Sequence, residues 1–197
     1  MLENSKLKKN YIINTILTLS SFIFPLITFP YVSRILLPEG TGRVSFATSV
    51  VSYFLMLSQL GIPTYGIRAC AKVRDDRRKL SRVVHELMAI NLVMSLLSYL
   101  ALGIFVFAIP RLRAESSLIF IISLTILLNA VGMEWLYKAL EQYTYITIRS
   151  VIFKAIAVVA MLLLIWQQSD YVVYGALTIL AASASNVCNF VHAHTYI

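Results

Sequence analysis

Six stretches of mostly apolar residues, at 11–32, 44–65, 87–109, 118–137, 149–166 and 171–191, occupy most of this 197-residue chain. A helix needs about 20 such residues to cross the hydrocarbon of a bilayer. Only 13% of the residues are charged and 59% are hydrophobic, against roughly 25% charged in soluble domains. Lipid therefore replaces water as the main solvent. The pattern predicts an all-α, polytopic transmembrane bundle of six spans, forming a single domain over residues 1–197. The fifth segment is short. The sixth carries Ser183, Ser185, Asn186 and Asn189, the composition of a helix packed against protein rather than lipid all round.

Net charge is +8, but the positive residues lie in short loops between apolar segments. That placement excludes nucleic acid as the reason for the charge and fits membrane topology instead. Lys6, Lys8 and Lys9 precede the first segment. Arg68, Lys72, Arg74, Arg77, Arg78, Lys79 and Arg82 follow the second, and Lys138 and Arg149 follow the fourth, with Lys154 just beyond. The alternate loops hold only Arg34, Arg43, Arg111 and Arg113. The excess of Lys and Arg on one side predicts that both termini are cytoplasmic. The first segment resembles a signal peptide but is too long and lacks a small-x-small cleavage site, so it reads as an uncleaved helix.

No nucleophile elbow, phosphate loop or zinc-protease motif is present, and the chain does not read as an enzyme. Cys70 and Cys188 are far apart and form no CxxC pair. His192 and His194 make an H-x-H near the end of the sixth segment, which reads as a polar helix end. The expectation is no metal and no cofactor.

Charges at membrane depth are the functional candidates, because each costs about 2.5–3.5 kcal/mol at the bilayer centre. The first segment carries Pro25 and Pro30 and ends on Arg34 within FPYVSRILLPEGTG. Proline removes a backbone donor and strains the helix before it, so these two predict a bend, and Arg34 is either a lipid anchor or a transport residue. Arg68 closes the second segment. Lys154, three residues past Val151, either snorkels to the interface or faces a cavity. Glu134 and Lys138 are four apart with the acid first, the favourable order for a helical ion pair. Tyr11, Tyr31, Tyr65, Trp135, Tyr137, Tyr143, Tyr145, Trp166 and Tyr171 fall near segment ends and read as interfacial belts.

Three stretches, FPYVSRILLPEGTGRVSFATSVVSYF, LGIPTYGIRACAKVRDDRRKLS and GMEWLYKALEQYTYITIRSVIFK, together resemble the Wzx-type polysaccharide flippases of the multidrug/oligosaccharidyl-lipid/polysaccharide exporter superfamily. The resemblance implies a bacterial cytoplasmic-membrane protein that moves undecaprenyl-diphosphate-linked oligosaccharide between leaflets. Two helical lobes would flank a cationic cavity and alternate between inward-open and outward-open states. Matching positions make Arg34, Arg68, Arg149 and Lys154 the candidate diphosphate ligands.

Such flippases usually have 12 or 14 spans, so six amount to the N-terminal lobe. The expected partners are lipid-linked oligosaccharide, membrane lipids, and a second lobe or other polysaccharide-assembly proteins. Two alternatives stay open: a drug or ion antiporter of the same superfamily, and a membrane assembly partner without transport. An antiporter would more often use buried carboxylates, and Glu134 is the only carboxylate inside a segment.

Overall fold

The computed structural model describes residues 2–196, with side chains from residue 11 onward. The side chains of Lys6, Lys8 and Lys9 lie outside that set. The described residues are helical, with no strand among them. The helices are α1 (Leu2–Gln59), α2 (Ile62–Lys72), α3 (Arg77–Ala108), α4 (Pro110–Ala114), α5 (Ser116–Gly132), α6 (Glu134–Ala139), α7 (Tyr143–Leu164), α8 (Tyr171–Ile179) and α9 (Ser185–Ala193). A π-helical turn, Leu180–Ala184, joins α8 to α9. Four helical stretches, Tyr11–Lys72, Arg77–Ala108, Tyr143–Leu164 and Gln168–Ala193, are long and apolar enough to cross a membrane. Ser116–Gly132 is apolar but shorter.

Backbone dihedrals remain helical through Pro25 and Pro30, where the sequence predicts a bend. The break in α1 is instead at Leu37, with φ 57° and ψ 176°. Pro38 follows it, and a residue before proline is pushed out of the α region. The two arms of α1 pack on different neighbours. In the first arm, Val32 and Leu36 join Met161, Ile165 and Leu177 in one buried cluster. In the second, Val44, Ala47 and Val51 join Leu102 and Val106 of α3 and Leu118, Ile119, Ile122 and Ile126 of α5.

The contact registers give the directions of the helices. Thr147 donates to the Ile13 carbonyl, Lys154 to Ser20, and Tyr31 to the Ile165 carbonyl, and each pair is 134 residues apart. A constant offset means that the first arm of α1 and α7 run parallel. Asn186–Asn129 and Asn189–Gly132 share an offset of 57, so α5 and α9 are also parallel. Helix α3 with α5, α3 with the second arm of α1, and α7 with α9 are antiparallel. Tyr99 meets Ser123 while Asn91 meets Ala130, and Phe46 meets Arg111 while Phe54 meets Phe105. Tyr145 at the start of α7 meets Cys188 in α9. Counting the two arms of α1, then α3, α5, α7 and α8–α9 as successive helical passages, directions alternate, and the chain reverses at Leu37.

Helix limits differ from the segment limits wherever a non-glycine residue takes positive φ. The second segment stops at Gln59, because Leu60 and Gly61 have φ 42° and 75°. The chain then re-enters as α2, whose buried face is Ile62, Gly66 and Cys70. The fourth segment is cut by Met133 at φ 41°, and its tail becomes α6. Between α6 and α7, Glu141 has φ 58°, and α7 begins at Tyr143, ahead of the segment's sequence-based start.

Apolar burial drives helix association only weakly in lipid, so close packing between small residues matters more. A Cβ built at Gly66 would lie 2.8 Å from the Trp135 ring, and one at Gly132 would lie 2.6 Å from Asn186 Cγ. Those two glycines let α2 meet α6 and α5 meet α9. Trp135 (5% exposed) and Tyr137 (0%) are therefore core residues rather than belt residues.

Candidate functional site

The break at Met133 leaves the last carbonyls of α5 without helical partners, which inside a membrane must be met by other groups. Two asparagines meet them. Asn91 Nδ2 of α3 donates to the Ala130 carbonyl at 3.1 Å, and Asn189 Nδ2 of α9 donates to the Gly132 carbonyl at 2.6 Å. Nearby, Asn129 Nδ2 donates to Ser183 Oγ at 3.2 Å, and Asn186 Nδ2 donates to Asn129 Oδ1 at 3.3 Å. The amides thus stabilise a broken helix, and this break places Glu134 at the start of α6.

Glu134 and Lys138 form an ion pair at 2.8 Å. The pair lines a cavity of about 640 Å³. The first arm of α1 supplies one wall of it, including Ser21, Phe22 and Pro25, and α7 supplies Ser150, Lys154 and Ala157. Tyr174 and Thr178 of α8 close a third side. The wall is mostly apolar, with charge confined to Lys154, Glu134 and Lys138.

Lys154 lies 11 residues after Tyr143, or about 16 Å along α7 at about 1.5 Å per residue. Within the bundle its side chain turns toward the first arm of α1. Its Nζ donates to Ser20 Oγ and Ser21 Oγ, both at 2.9 Å. Hydroxyls satisfy donors but bring no negative charge. Among the described residues no carboxylate lies in ion-pair contact with Lys154, although Glu134 is within electrostatic reach.

The other sequence candidates are not brought to this cavity. Arg34 and Arg68 are exposed and line none of its walls. Arg149 is buried at 7% exposure, with its Nε and Nη1 lacking hydrogen-bond partners. Its guanidinium lies 5.7 Å from the Tyr145 ring centre. Tyr145 stacks on His192 at 4.6 Å and on Tyr137 at 5.1 Å. His192 therefore belongs to an aromatic cluster. Tyr137 donates to the Asn189 carbonyl at 2.7 Å, which ties that cluster to the end of α9.

Sequence reasoning missed the serine pair on α1 and Asn91 and Asn129 near Met133, while it read Asn186 and Asn189 as marks of a helix packed against protein. Ser20 and Ser21 carry no signal of their own, since they gain meaning only from the offset that sets them beside Lys154. Asn129, Asn186 and Asn189 in otherwise apolar helices were the available signal for polar packing.

The sequence profile of the family described as "Polysaccharide biosynthesis protein" matches residues 7–193, and the chain belongs to that family. The chain is similar to the protein named "Putative O-antigen transporter" of Escherichia coli (strain K12), with 21% identity over 169 residues. The match covers 86% of this chain and 41% of that protein, so the chain spans less than half the length of the curated relative it matches. No solved structure matches. The family and the apolar helices together identify an integral membrane protein.

Proposed function

We propose that this member of the polysaccharide biosynthesis family forms one lobe of a flippase for lipid-linked oligosaccharide in the bacterial cytoplasmic membrane. The observation that carries the reading is Lys154, a cation held by two hydroxyls at a 640 Å³ cavity. A diphosphate cannot enter hydrocarbon without compensating charge. Lysine is a point charge well suited to phosphate, and Lys154 keeps its charge uncancelled by a contacting carboxylate. The lipid tail stays in the bilayer while the headgroup crosses, and the cavity opens to one side and then the other as this lobe rocks against a second one. The basic stretch from Arg68 to Arg82, carried by the end of α2, the turn after it and the start of α3, faces the cytoplasm, with both termini on that side. Arg34, Arg68 and Arg149 serve as auxiliary cations outside the cavity, drawing the diphosphate toward it or holding it in another state of the cycle.

The test is Lys154→Gln in the intact transporter, with measurement of lipid-linked precursor in the cytoplasmic leaflet. Accumulation supports the reading, and undiminished transport rejects it. An antiporter would need a carboxylate free to take a cation. Glu134 is engaged with Lys138 at 2.8 Å, which favours the flippase. Drug resistance or cation dependence conferred by the chain would reverse that preference.

A further inference from the structure

A second cavity, of about 220 Å³, lies below the break between α5 and α6. Its polar lining is Gln59, Asn91, Asn129, Asn186, Glu134 and Lys138. Glu134 and Lys138 also line the larger cavity, so the ion pair stands between the two. The smaller cavity has no uncancelled charge of its own, because its acid and its base are paired at 2.8 Å.

Its amides are only partly used. Asn91 is 4% exposed and donates through Nδ2 to the Ala130 carbonyl, while its Oδ1 has no partner. Asn186 spends an Nδ2 hydrogen on Asn129. Gln59 sits half-buried at the end of α1 and lines the cavity. An amide carries both donors and acceptors. A set of such groups around a neutral space suits a ligand that presents both kinds at every edge. An anion would find no unpaired cation there, and a lone metal ion would leave most of the volume empty.

We propose that this amide-lined cavity is a sugar subsite that holds one pyranose ring of the transported headgroup. Sugar hydroxyls exchange hydrogen bonds with the Gln59 and Asn186 amides at the cavity wall. The ring lies on one side of the Glu134–Lys138 pair and the diphosphate on the other, beside Lys154. The assignment rests on the flippase reading above and adds to it the residues that select the first sugar. Differences at Gln59 and Asn186 would then change which sugar is accepted.

The test uses the intact transporter in lipid nanodiscs and two probes, farnesyl diphosphate and farnesyl diphosphate bearing one N-acetylglucosamine. The readout is the ratio of their affinities. One net hydrogen bond is worth about fivefold, so the sugar-bearing probe should bind about fivefold or more tightly. Gln59→Leu removes one amide and Ile67→Phe fills the space from α2. Each should pull the ratio toward one. Gln59 lies at a helix end, so its variant keeps the test valid if Ile67→Phe folds poorly.

A ratio of one in the native chain, with farnesyl diphosphate bound, overturns the subsite and leaves the Lys154 reading standing. A raised ratio that survives both variants also overturns it. A gain that vanishes when sodium is replaced by choline assigns the cavity to a cation instead. Absence of binding by either probe overturns the Lys154 reading, and the subsite falls with it.

Discussion

Lys154 Nζ lies 2.9 Å from Ser20 Oγ, so the fifth passage offers its cation to a hydroxyl of the first. The contact keeps the ammonium hydrogen-bonded without neutralising it. Lys154→Gln should weaken binding of a polyprenyl diphosphate by about 10- to 100-fold, the scale of one hydrogen bond to a charged group. Lys154→Arg should keep most of the affinity, and Ser20→Ala should change it only a few-fold. Titration of the three variants checks this, and equal affinity for native and Lys154→Gln chains would remove Lys154 from the site.

Gly66 sits beneath the indole of Trp135, with 2.8 Å between a built Cβ and the ring. Both partners are rigid, so Gly66→Ala forces α2 off α6. Overpacking of this kind costs about 1–3 kcal/mol. Thermal unfolding in detergent should show a lower midpoint for Gly66→Ala. A double variant with Trp135→Leu should lose less than the two single effects combined, because the clash disappears with the ring.

Leu37 adopts φ 57° and ψ 176°, a region that suits glycine and costs other residues about 1–3 kcal/mol. Leu37→Gly should therefore raise the unfolding midpoint or leave it unchanged, despite the loss of a side chain. Leu37 is 43% exposed, so little packing is removed. A clear fall in the midpoint would mean that the side chain, rather than the backbone, matters at the reversal.

Asp76 caps α3 outside the apolar segments, accepting from the Arg78 and Lys79 amides at 3.1 Å. The Lys79 amide, with the Lys79 ammonium beside it, holds the carboxyl below its ordinary value of 3.8. A carboxyl lowered in the folded state stabilises the fold above the unfolded value and loses that contribution as pH falls through the folded one. The start of α3 should therefore fray below about pH 4. Protection factors at Arg78 and Lys79, taken relative to the intrinsic exchange rate at each pH, should fall in acid in the native chain. In Asp76→Ala they should be low at neutral pH already, with no further fall in acid.

The apolar segments and basic loops are legible because a bilayer demands long apolar runs and tolerates few charges. The all-α class, the membrane setting and the family motifs follow from that pattern and from local sequence. Lys154 and Glu134 were legible as candidates for the same reason, since an ionised group inside an apolar run is costly and conspicuous. The breaks were not. Leu37, Leu60, Met133 and Glu141 carry positive φ, which non-glycine residues rarely adopt. Leu37 has a local signal in the proline that follows it, but nothing in Leu60, Met133 or Glu141 announces a positive φ.

The sequence by itself determined that this chain forms apolar helices in a membrane and that a few charges lie deep within them. Only the tertiary structure decided which charges meet. Its registers of 134 and 57 residues set Lys154 beside Ser20 and Asn186 beside Asn129, and they left Arg34 and Arg68 outside. The physical reason is that hydropathy is a property of each segment, whereas register and direction arise from close packing between segments far apart in the chain. Where a Cβ would collide, as at Gly66 and Gly132, the contact fixes the approach of two helices, and the cavities are the space those approaches leave.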